Sequence, residues 1–381
     1  MSDPIIFGQP QFDDDEVALV TATLRSRWIG QGPLVAEFER RLAETVWADH
    51  AIAVSSCTAA IELSLLACGI GPGDEVITTP LTFVATVSAI ETLGAHAVLA
   101  DIDPDTLLLT PEAAAAAITP RTKAVVPVSF AGRPLAIDGF LELAEANDLV
   151  IVEDAAHAIG GVADGLPIGA TRHPRLLTCF SFYPNKNLAS AEGGAITLAD
   201  AERADALRSL RLHGLNADAW LRYRERSYHA TLAGHLGRKA NWTDLQAAVA
   251  LPQLDKLDGF LATREHLAAA YDDQLGRIGD VRLIPRPCPG LRERHALHLY
   301  QVRVPATHRD PLVQRLREGG IGAAVHYPPI HRHPIYEHLA PSPLPVVEEV
   351  AAELVSLPLH PGMGPREVER VAHELQRWSD G

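Results

Sequence analysis

The sequence predicts an α/β fold, with a large domain built on a mostly parallel sheet flanked by helices and a smaller C-terminal α+β domain. Hydrophobic residues make up 47% of the 381 residues, and short apolar runs alternate with segments of helical periodicity. This strand-then-helix rhythm repeats from residue 50 to residue 155, which is typical of parallel strands joined by right-handed crossovers. The chain is long enough for two domains, and we place them at residues 1–257 and 258–381.

The first 50 residues predict an extended arm followed by two helices. The first helix, over residues 13–26, begins with four consecutive acidic residues, which favour the positive end of a helix dipole. A turn rich in glycine and proline follows, and Trp28 lies near its start. The second helix is predicted over residues 34–47.

Small hydroxyl residues follow the first predicted strand, residues 51–54. The sequence SSCT at residues 55–58 leads into a helix predicted over residues 59–68. A helix N-terminus offers free backbone N–H groups and the positive end of the dipole, so this segment can bind a phosphate group. The same side chains can instead cap the helix, and the sequence alone does not separate the two roles.

Three more strand-helix units continue the pattern. The strands are predicted over residues 75–79, 95–100 and 124–128, and the helical segments that follow them over residues 84–93, 105–118 and 137–147. Phe83 lies between a strand end and a helix, on the side of the sheet where α/β proteins bind ligands. It is either a ligand contact or a core residue at a strand-helix junction.

The stretch LVIVEDAAHAIGG predicts an acidic group at a ligand-binding edge. Residues 149–152 form an apolar strand, and Asp154 falls at its carboxyl end. A carboxylate at that position suits a pyridine cofactor, because it can pair with the protonated ring nitrogen and keep the ring able to accept electrons. His157 follows within the same motif.

Lys186 is the candidate for covalent chemistry with such a cofactor. It lies in a polar turn between predicted strands 177–182 and 195–198, and the chain contains only four lysines among 33 basic residues. A partly desolvated amine has a lowered pKa and a free lone pair, which suits a Schiff-base lysine. An ordinary surface lysine in a turn is the alternative.

These motifs together resemble a known family. The segments SSCTAAIELSLLACGIGPGDEVITTPLTFVAT, EDAAHAIGG and FSFYPNKNLASAEGG are similar to those of the DegT/DnrJ/EryC1/StrS sugar aminotransferases, and they occur in the family's order. These are pyridoxal-phosphate (PLP) enzymes of the aspartate aminotransferase fold type, fold type I. The resemblance covers nearly the whole chain and implies PLP as cofactor, with pyridoxamine phosphate (PMP) as its aminated form.

The resemblance also implies roles for individual residues. Lys186 carries the cofactor and is the catalytic acid/base, Asp154 pairs with the ring nitrogen, and Phe83 stacks on the ring. The remaining implied cofactor contacts are His157 against the ring or its phenolic oxygen, and Thr58, Ala59 and Ser181 at the phosphate. The chain departs from the family pattern at Cys57, where many members have glycine, and at residues 191–194, where AEGG replaces GEGG.

Two further matches concern the partner subunit and the substrate. The segment GRKANWTDLQ contains Asn241, which in the family reaches the cofactor phosphate of the neighbouring subunit, so a homodimer with shared active sites is expected. Trp28, His326 and His331 match segments near the family's sugar site. The alternative for each of these segments is a stiff turn or loop with a packing side chain.

The implied reaction is a ping-pong transfer of an amino group from glutamate to a keto sugar, with a UDP- or dTDP-linked 3-keto or 4-keto deoxysugar as acceptor. A dehydratase acting on similar sugars is an alternative, but the family's deoxygenating branch has histidine in place of the lysine that this chain keeps at Lys186. The sequence also leaves open a cyclitol ketone as acceptor and a non-enzymatic regulator with the same fold.

Composition narrows the other classes of function. The net charge of −15 disfavours binding to nucleic acid or to an anionic membrane. No apolar run is long enough to span a bilayer, and the N-terminus lacks a signal-peptide pattern, so we expect a cytoplasmic protein. The four cysteines lack CxxC spacing and the 17 histidines show no clear ligand set, so we expect no metal.

The C-terminal third predicts the smaller domain. The large domain is expected to end with a helix over residues 245–257. The smaller domain is expected to contain helices over residues 261–275, 311–318 and 365–378, with strands over residues 297–304 and 323–327. Before this region, a basic loop carries Arg222, Arg224, Arg226 and Arg238. These arginines can bind a nucleotide diphosphate or a carboxylate, or can form ordinary surface ion pairs.

Overall fold

The computed structural model describes residues 3–215, 232–286, 293–339 and 343–380. Within these ranges the strands are β1 (His50–Val54), β2 (Glu75–Thr78), β3 (His96–Leu99), β4 (Thr122–Val126), β5 (Val150–Asp154), β6 (Val162–Ala163), β7 (Leu166–Pro167), β8 (Leu176–Ser181), β9 (Gly194–Leu198), β10 (Arg282–Leu283), β11 (Tyr300–Arg303) and β12 (Leu354–Leu357). The helices of the same ranges are α1 (Asp14–Ser26), α2 (Pro33–Val46), α3 (Cys57–Ala67), α4 (Val84–Glu91), α5 (Pro111–Ala116), α6 (Ile137–Asn147), α7 (Ala201–Leu210), α8 (Asp244–Leu275), α9 (Ala306–Glu318), α10 (Pro345–Glu353) and α11 (Pro365–Ser379).

The main sheet has seven strands in the order β1-β9-β8-β5-β4-β2-β3. Strand β9 pairs antiparallel with both β1 and β8, while the remaining neighbours pair in parallel. The predicted mostly parallel sheet is therefore confirmed. Strands β4, β5 and β8 are almost fully buried because helices cover both faces of the sheet, which is the environment that parallel strands require.

Alternation along β8 shows how the sheet divides the core. Leu177 and Cys179 pack on one face with residues of α3, whereas Phe180 and Phe182 pack on the other face with residues of α2 and α8. This two-sided burial fixes the register of β8, because a shift by one residue would exchange the two faces. The loop after β8 is thereby held at the carboxyl edge of the sheet.

The C-terminal region has its own sheet, β10-β11-β12, with antiparallel pairing. Its core joins the second half of α8 with α9 and α11, through residues such as Tyr271, Leu316 and Leu375. The N-terminal arm adds Ile5 to this core, and the Ile5 N–H donates to Gly320 O at 2.8 Å. The smaller α+β unit is thus present, with the arm docked against it.

Two predicted elements differ from the structure. The helices expected over residues 245–257 and 261–275 form one helix, α8, which contains Pro252. Proline removes a single helical N–H, and the long apolar face of α8 is buried on both sides of it. Helix α8 crosses the proposed boundary at residue 257 and so belongs to both proposed domains. The division into residues 1–257 and 258–381 stays a prediction.

The second difference is the strand expected over residues 323–327. The structure has one isolated bridge there, between Ala324 and Ser356. Pro328 and Pro329 follow directly, and proline has no N–H to donate to a sheet.

In the described part of the chain, no helix combines the length and apolar character needed to cross a bilayer.

Candidate active site

A cavity of about 470 Å³ opens at the carboxyl edge of the main sheet. It lies where β2, β4, β5 and β8 end, and residues that follow or close these strands line it. The cavity has the size that small-molecule sites commonly have. Its lining includes both residues that the sequence singled out for the chemistry, Lys186 and Asp154.

Asp154 is the last residue of β5 and is 6% exposed. Thr86 donates its hydroxyl to Asp154 Oδ2 at 2.7 Å, and the Ala156 N–H donates to Oδ1 at 3.1 Å. The Cys57 thiol donates a weaker bond to Oδ1 at 3.8 Å. Burial raises the pKa of the Asp154 carboxyl, and the hydrogen bonds and the positive charge of Lys186 oppose that rise. The carboxylate is therefore fixed in orientation and ready for a cationic partner.

Lys186 lies in the turn between β8 and β9. Its backbone N–H donates to Tyr183 O at 2.9 Å, and its Nζ lies 3.4 Å from Nε2 of His298. Burial lowers the pKa of Lys186 to about 8, and the negative charge of Asp154 opposes this shift. A substantial fraction of the amine is consequently neutral near pH 8, which a nucleophile or a general base requires.

His157 forms part of the cavity wall together with Tyr327. Nδ1 of His157 accepts the Ala131 N–H at 3.2 Å, so its proton is assigned to Nε2, which lies 3.3 Å from the Tyr327 hydroxyl. Burial lowers the pKa of His157 well below its usual value. Phe83 is 56% exposed and faces Tyr327, with ring centroids 5.7 Å apart. The wall is therefore aromatic and uncharged.

The predicted phosphate end of the cavity is built around the start of α3. Ser56 is the N-cap, and its hydroxyl accepts the Ala59 N–H at 3.1 Å. Thr58 and Ser181 line the cavity, whereas Ala59 is not part of its lining. The sequence left capping and phosphate binding open, and the structure shows that Ser56 does cap the helix.

Gly194 allows β9 to approach this helix start closely. A Cβ atom at Gly194 would lie 2.5 Å from the carbonyl carbon of Ser56 and 2.6 Å from the backbone nitrogen of Cys57. The N–H groups of Cys57 and Thr58 belong to the first helical turn, where no helix carbonyl precedes them. An anion is the natural acceptor for such groups.

Besides Ala59, three predicted site residues lie outside the cavity lining. Asn241 accepts a bond from Lys239 Nζ at 2.6 Å, Trp28 donates its indole N–H to Gln31 O at 3.1 Å, and His331 bonds to Glu348. None of these three lines the cavity. His326 does line it, with its ring stacked on Phe7 at 5.1 Å. Of the four arginines in the basic loop, Arg238 pairs with Glu62 at 2.7 Å, and the other three lie outside the described residues.

Sequence reasoning missed His298 and Tyr327. Tyr327 follows His326 directly in the predicted substrate motif, so its position beside a candidate site residue could have indicated it. His298 is far from Lys186 in sequence, and no sequence pattern indicated that the two are in contact.

Sequence reasoning also missed a surface group of candidate metal ligands, Glu91, His96 and His338. Their ligand atoms lie within 4.8 Å of one another, away from the cavity lining.

Comparisons with known proteins identify the family of the chain. The model of the DegT/DnrJ/EryC1/StrS aminotransferase family matches residues 10–376. The chain is 41% identical to the spore coat polysaccharide biosynthesis protein SpsC of Bacillus subtilis, over 97% of this chain and 96% of SpsC.

Solved structures show the same relationship. Spr1654 of Streptococcus pneumoniae in its PMP form is 30% identical, with a TM-score of 0.91 and 99% of each chain covered, and a PLP form has also been solved. DesI, solved in the presence of its TDP-sugar product, is 32% identical, with a TM-score of 0.87, and the match covers 100% of this chain and 94% of DesI.

The residues of the cavity suit PLP. Four groups surround one space. They are an aromatic ring, a buried carboxylate with fixed orientation, a partly neutral lysine, and a helix N-terminus that β9 approaches closely at Gly194. These are the groups that a charged pyridine ring, an aldehyde and a phosphate each need. The chain therefore belongs to the DegT/DnrJ/EryC1/StrS aminotransferase family, as a PLP-dependent sugar aminotransferase.

Proposed function

We propose that this enzyme moves an amino group from glutamate to a keto sugar attached to a nucleotide, in two half-reactions. The acceptor in this proposal is a UDP- or dTDP-linked deoxysugar with its ketone at C3 or C4. The observation that carries the proposal is the meeting of Lys186 and Asp154 in one cavity. The nucleotide link is supported by the TDP-sugar product of DesI, a relative that matches the whole of this chain.

The proposal assigns the cofactor contacts to residues of the cavity. Asp154 holds the proton on the ring nitrogen, while Phe83 and His157 pack against the ring. The hydroxyl groups of Thr58 and Ser181 and the first N–H groups of α3 bind the phosphate. When bound, PLP supplies an electron sink for the negative charge that develops at the carbon bearing the amino group.

Lys186 has two tasks in this assignment. Its Nζ would hold PLP through the aldehyde carbon of the cofactor. With PLP bound, the same nitrogen would act as the general base towards the α-carbon proton of the amino donor and as the general acid that returns this proton. The low pKa of this amine suits both tasks, because a fully protonated ammonium has no lone pair for either.

We also propose a homodimer in which Asn241 completes the partner's site. Asn241 lies outside the cavity of its own chain, as expected of a residue that acts in a neighbouring subunit. Large apolar side chains at the start of the chain are exposed, among them Phe12, Val17 and Leu24. Exposed apolar groups of this kind commonly mark an interface between proteins. The oligomeric state by light scattering tests this part.

The assay for the reaction uses ¹⁵N-labelled glutamate and a panel of keto-sugar nucleotides. We expect a labelled amino sugar from the native enzyme, and a rate lower by about 10²–10⁴-fold in the Lys186→Ala variant, the usual contribution of a general acid/base. A deoxygenated sugar without label would instead indicate a dehydratase. Label transfer only to cyclitol ketones would overturn the assignment of the acceptor.

A further inference from the structure

His298 is a buried histidine to which the proposed reaction gives no role. Its ring is in contact with Lys186, since Nε2 lies 3.4 Å from Lys186 Nζ, and the residue is 5% exposed. Nδ1 of His298 is buried and has no hydrogen-bond partner among the residues described by the structure. Within those residues, Lys186 is thus the sole hydrogen-bond partner of this imidazole.

The backbone around His298 is firmly held. Arg264, which is 1% exposed, donates from Nη1 to the carbonyl oxygens of Leu297 at 3.1 Å, His298 at 3.4 Å and Leu359 at 2.8 Å. On the other side, a Cβ atom at Gly132 would lie 3.1 Å from the His298 backbone nitrogen, so this loop approaches it closely. His298 therefore has little freedom to move away from Lys186.

The ring itself is also packed. The imidazoles of His157 and His298 have centroids 4.4 Å apart and an interplanar angle of 34°. The titratable groups that face His298 are Lys186, His157, Arg264 and His326, and all of them disfavour a positive charge on it. Burial and these neighbours lower the pKa of His298 well below its usual value, so the ring stays neutral.

A neutral imidazole differs from other possible neighbours of a lysine that acts as a base. A carboxylate at this place would stabilise the ammonium form and remove the lone pair from use. A purely apolar side chain would leave the amine without a partner, and the flexible four-carbon stem would place Nζ in several positions. The imidazole holds Nζ without supplying a negative charge.

Resting on the proposed role of Lys186, we propose that His298 is a positioning residue that holds the Lys186 amine whenever it is not covalently attached to the cofactor. The held amine faces the cavity in one orientation, ready for proton transfer and for renewed attachment. A displacement of about 1 Å at a reacting group can reduce a rate by about 10²-fold, so this restraint affects turnover.

The first test measures the Lys186 amine directly in the cofactor-free protein. Acylation of Lys186 by acetic anhydride, followed by mass spectrometry as a function of pH, gives its titration curve without any substrate. In His298→Leu we expect the midpoint to fall by about one pH unit, because the ammonium form loses its hydrogen-bond acceptor. In His298→Gln, whose amide can still reach Nζ, we expect most of that shift to be recovered. His266→Leu, on the exposed face of α8, is the matched control and should leave the curve unchanged.

The second test measures how fast PLP attaches covalently to Lys186 in the cofactor-free protein, by stopped-flow absorbance. We expect attachment to be about 10²-fold slower in His298→Leu than in the native protein. A merely structural role would not be rescued by glutamine, so near-native attachment in His298→Gln supports the proposal. If His298→Leu does not fold, His298→Asn replaces it, because its shorter side chain cannot reach Nζ, and it should behave as the leucine variant does.

Native titration and attachment in His298→Leu, or equal defects in the glutamine and asparagine variants, would overturn the role of His298. These outcomes are separable from failure of the proposed function. Borohydride reduction of the native holoenzyme fixes the cofactor on the lysine that carries it. If that lysine is Lys186 and the His298 variants behave as the native protein does, only the inference about His298 falls. If that lysine is not Lys186, the proposed function falls first.

Discussion

Replacing Lys186 with methionine should stabilise the cofactor-free protein at neutral pH. Methionine has nearly the same length and no charge, so the variant removes the cost of burying an ammonium group. The pKa of Lys186 is about 8 in the folded protein against 10.5 as its ordinary value. At about 1.4 kcal/mol per pH unit, this difference in pKa corresponds to about 3 kcal/mol.

The direction of this stability change and the pH range over which it occurs follow from proton linkage. The unfolded chain holds the lysine proton more tightly than the folded chain does, so protonation favours unfolding. The contribution of Lys186 to the free energy of unfolding is therefore least unfavourable above pH 10.5, and it becomes more unfavourable as the pH drops through 10.5 towards 8. Below pH 8 Lys186 is protonated in both the folded and the unfolded state, and the full destabilisation of about 3 kcal/mol is present. At pH 10 the remaining loss is about 1 kcal/mol by the same relation.

Denaturant unfolding of the cofactor-free proteins at pH 7 and pH 10 measures this effect. Lys186→Met should exceed the native free energy of unfolding by about 3 kcal/mol at pH 7, and by about 1 kcal/mol at pH 10. Lys123→Met, at an exposed position on β4, is the matched control and should change little at either pH. Equal stability of Lys186→Met and the native protein at both pH values would show that burial does not desolvate Lys186, and the explanation of its low pKa would be wrong.

Three other perturbations test separate parts of the site. Asp154→Asn should weaken PLP affinity by about 10–100-fold in a fluorescence titration, because a bond to a charged group is lost, and unchanged affinity would contradict the pairing with the ring nitrogen. The pKa of the Cys57 thiol is raised by burial, so iodoacetamide at pH 8 should label Cys57 far more slowly in the folded protein than after denaturation, and equal rates would show that the thiol is accessible. Gly194→Ala should lower the free energy of unfolding by about 1–3 kcal/mol because its Cβ would overlap the backbone of Ser56 and Cys57, whereas Gly279→Ala, with nothing within 4 Å of its Cβ, should be tolerated.

Local pattern was enough to predict the parts of the site that lie at strand ends. Asp154 follows an apolar run, and Lys186 lies between two such runs, so each could be placed at the carboxyl edge of the sheet from its own neighbours. The parallel sheet then brings β5 and β8 side by side, and the two residues share a cavity as a consequence. The start of α3 could be predicted for the same reason.

Contacts between distant segments could not be predicted. His298 reaches Lys186 because Arg264 and the backbone near Gly132 hold its segment in place, and none of these restraints has a sequence pattern. The continuity of α8 through Pro252 was missed because tertiary packing on both sides outweighs one lost hydrogen bond. The role of Asn241 stays a prediction, since it concerns a second subunit.

The proposed chemistry requires that Lys186 carries the cofactor opposite Asp154. Borohydride reduction of the holoenzyme followed by peptide mapping examines this requirement without any assumption about the sugar, because reduction makes the link between lysine and cofactor permanent. We expect the pyridoxyl group on the peptide that contains Lys186, and on none that contains Lys123, Lys239 or Lys256. A pyridoxyl group on any of those three lysines, or on no lysine after full reconstitution with PLP, would show that Lys186 does not have this role.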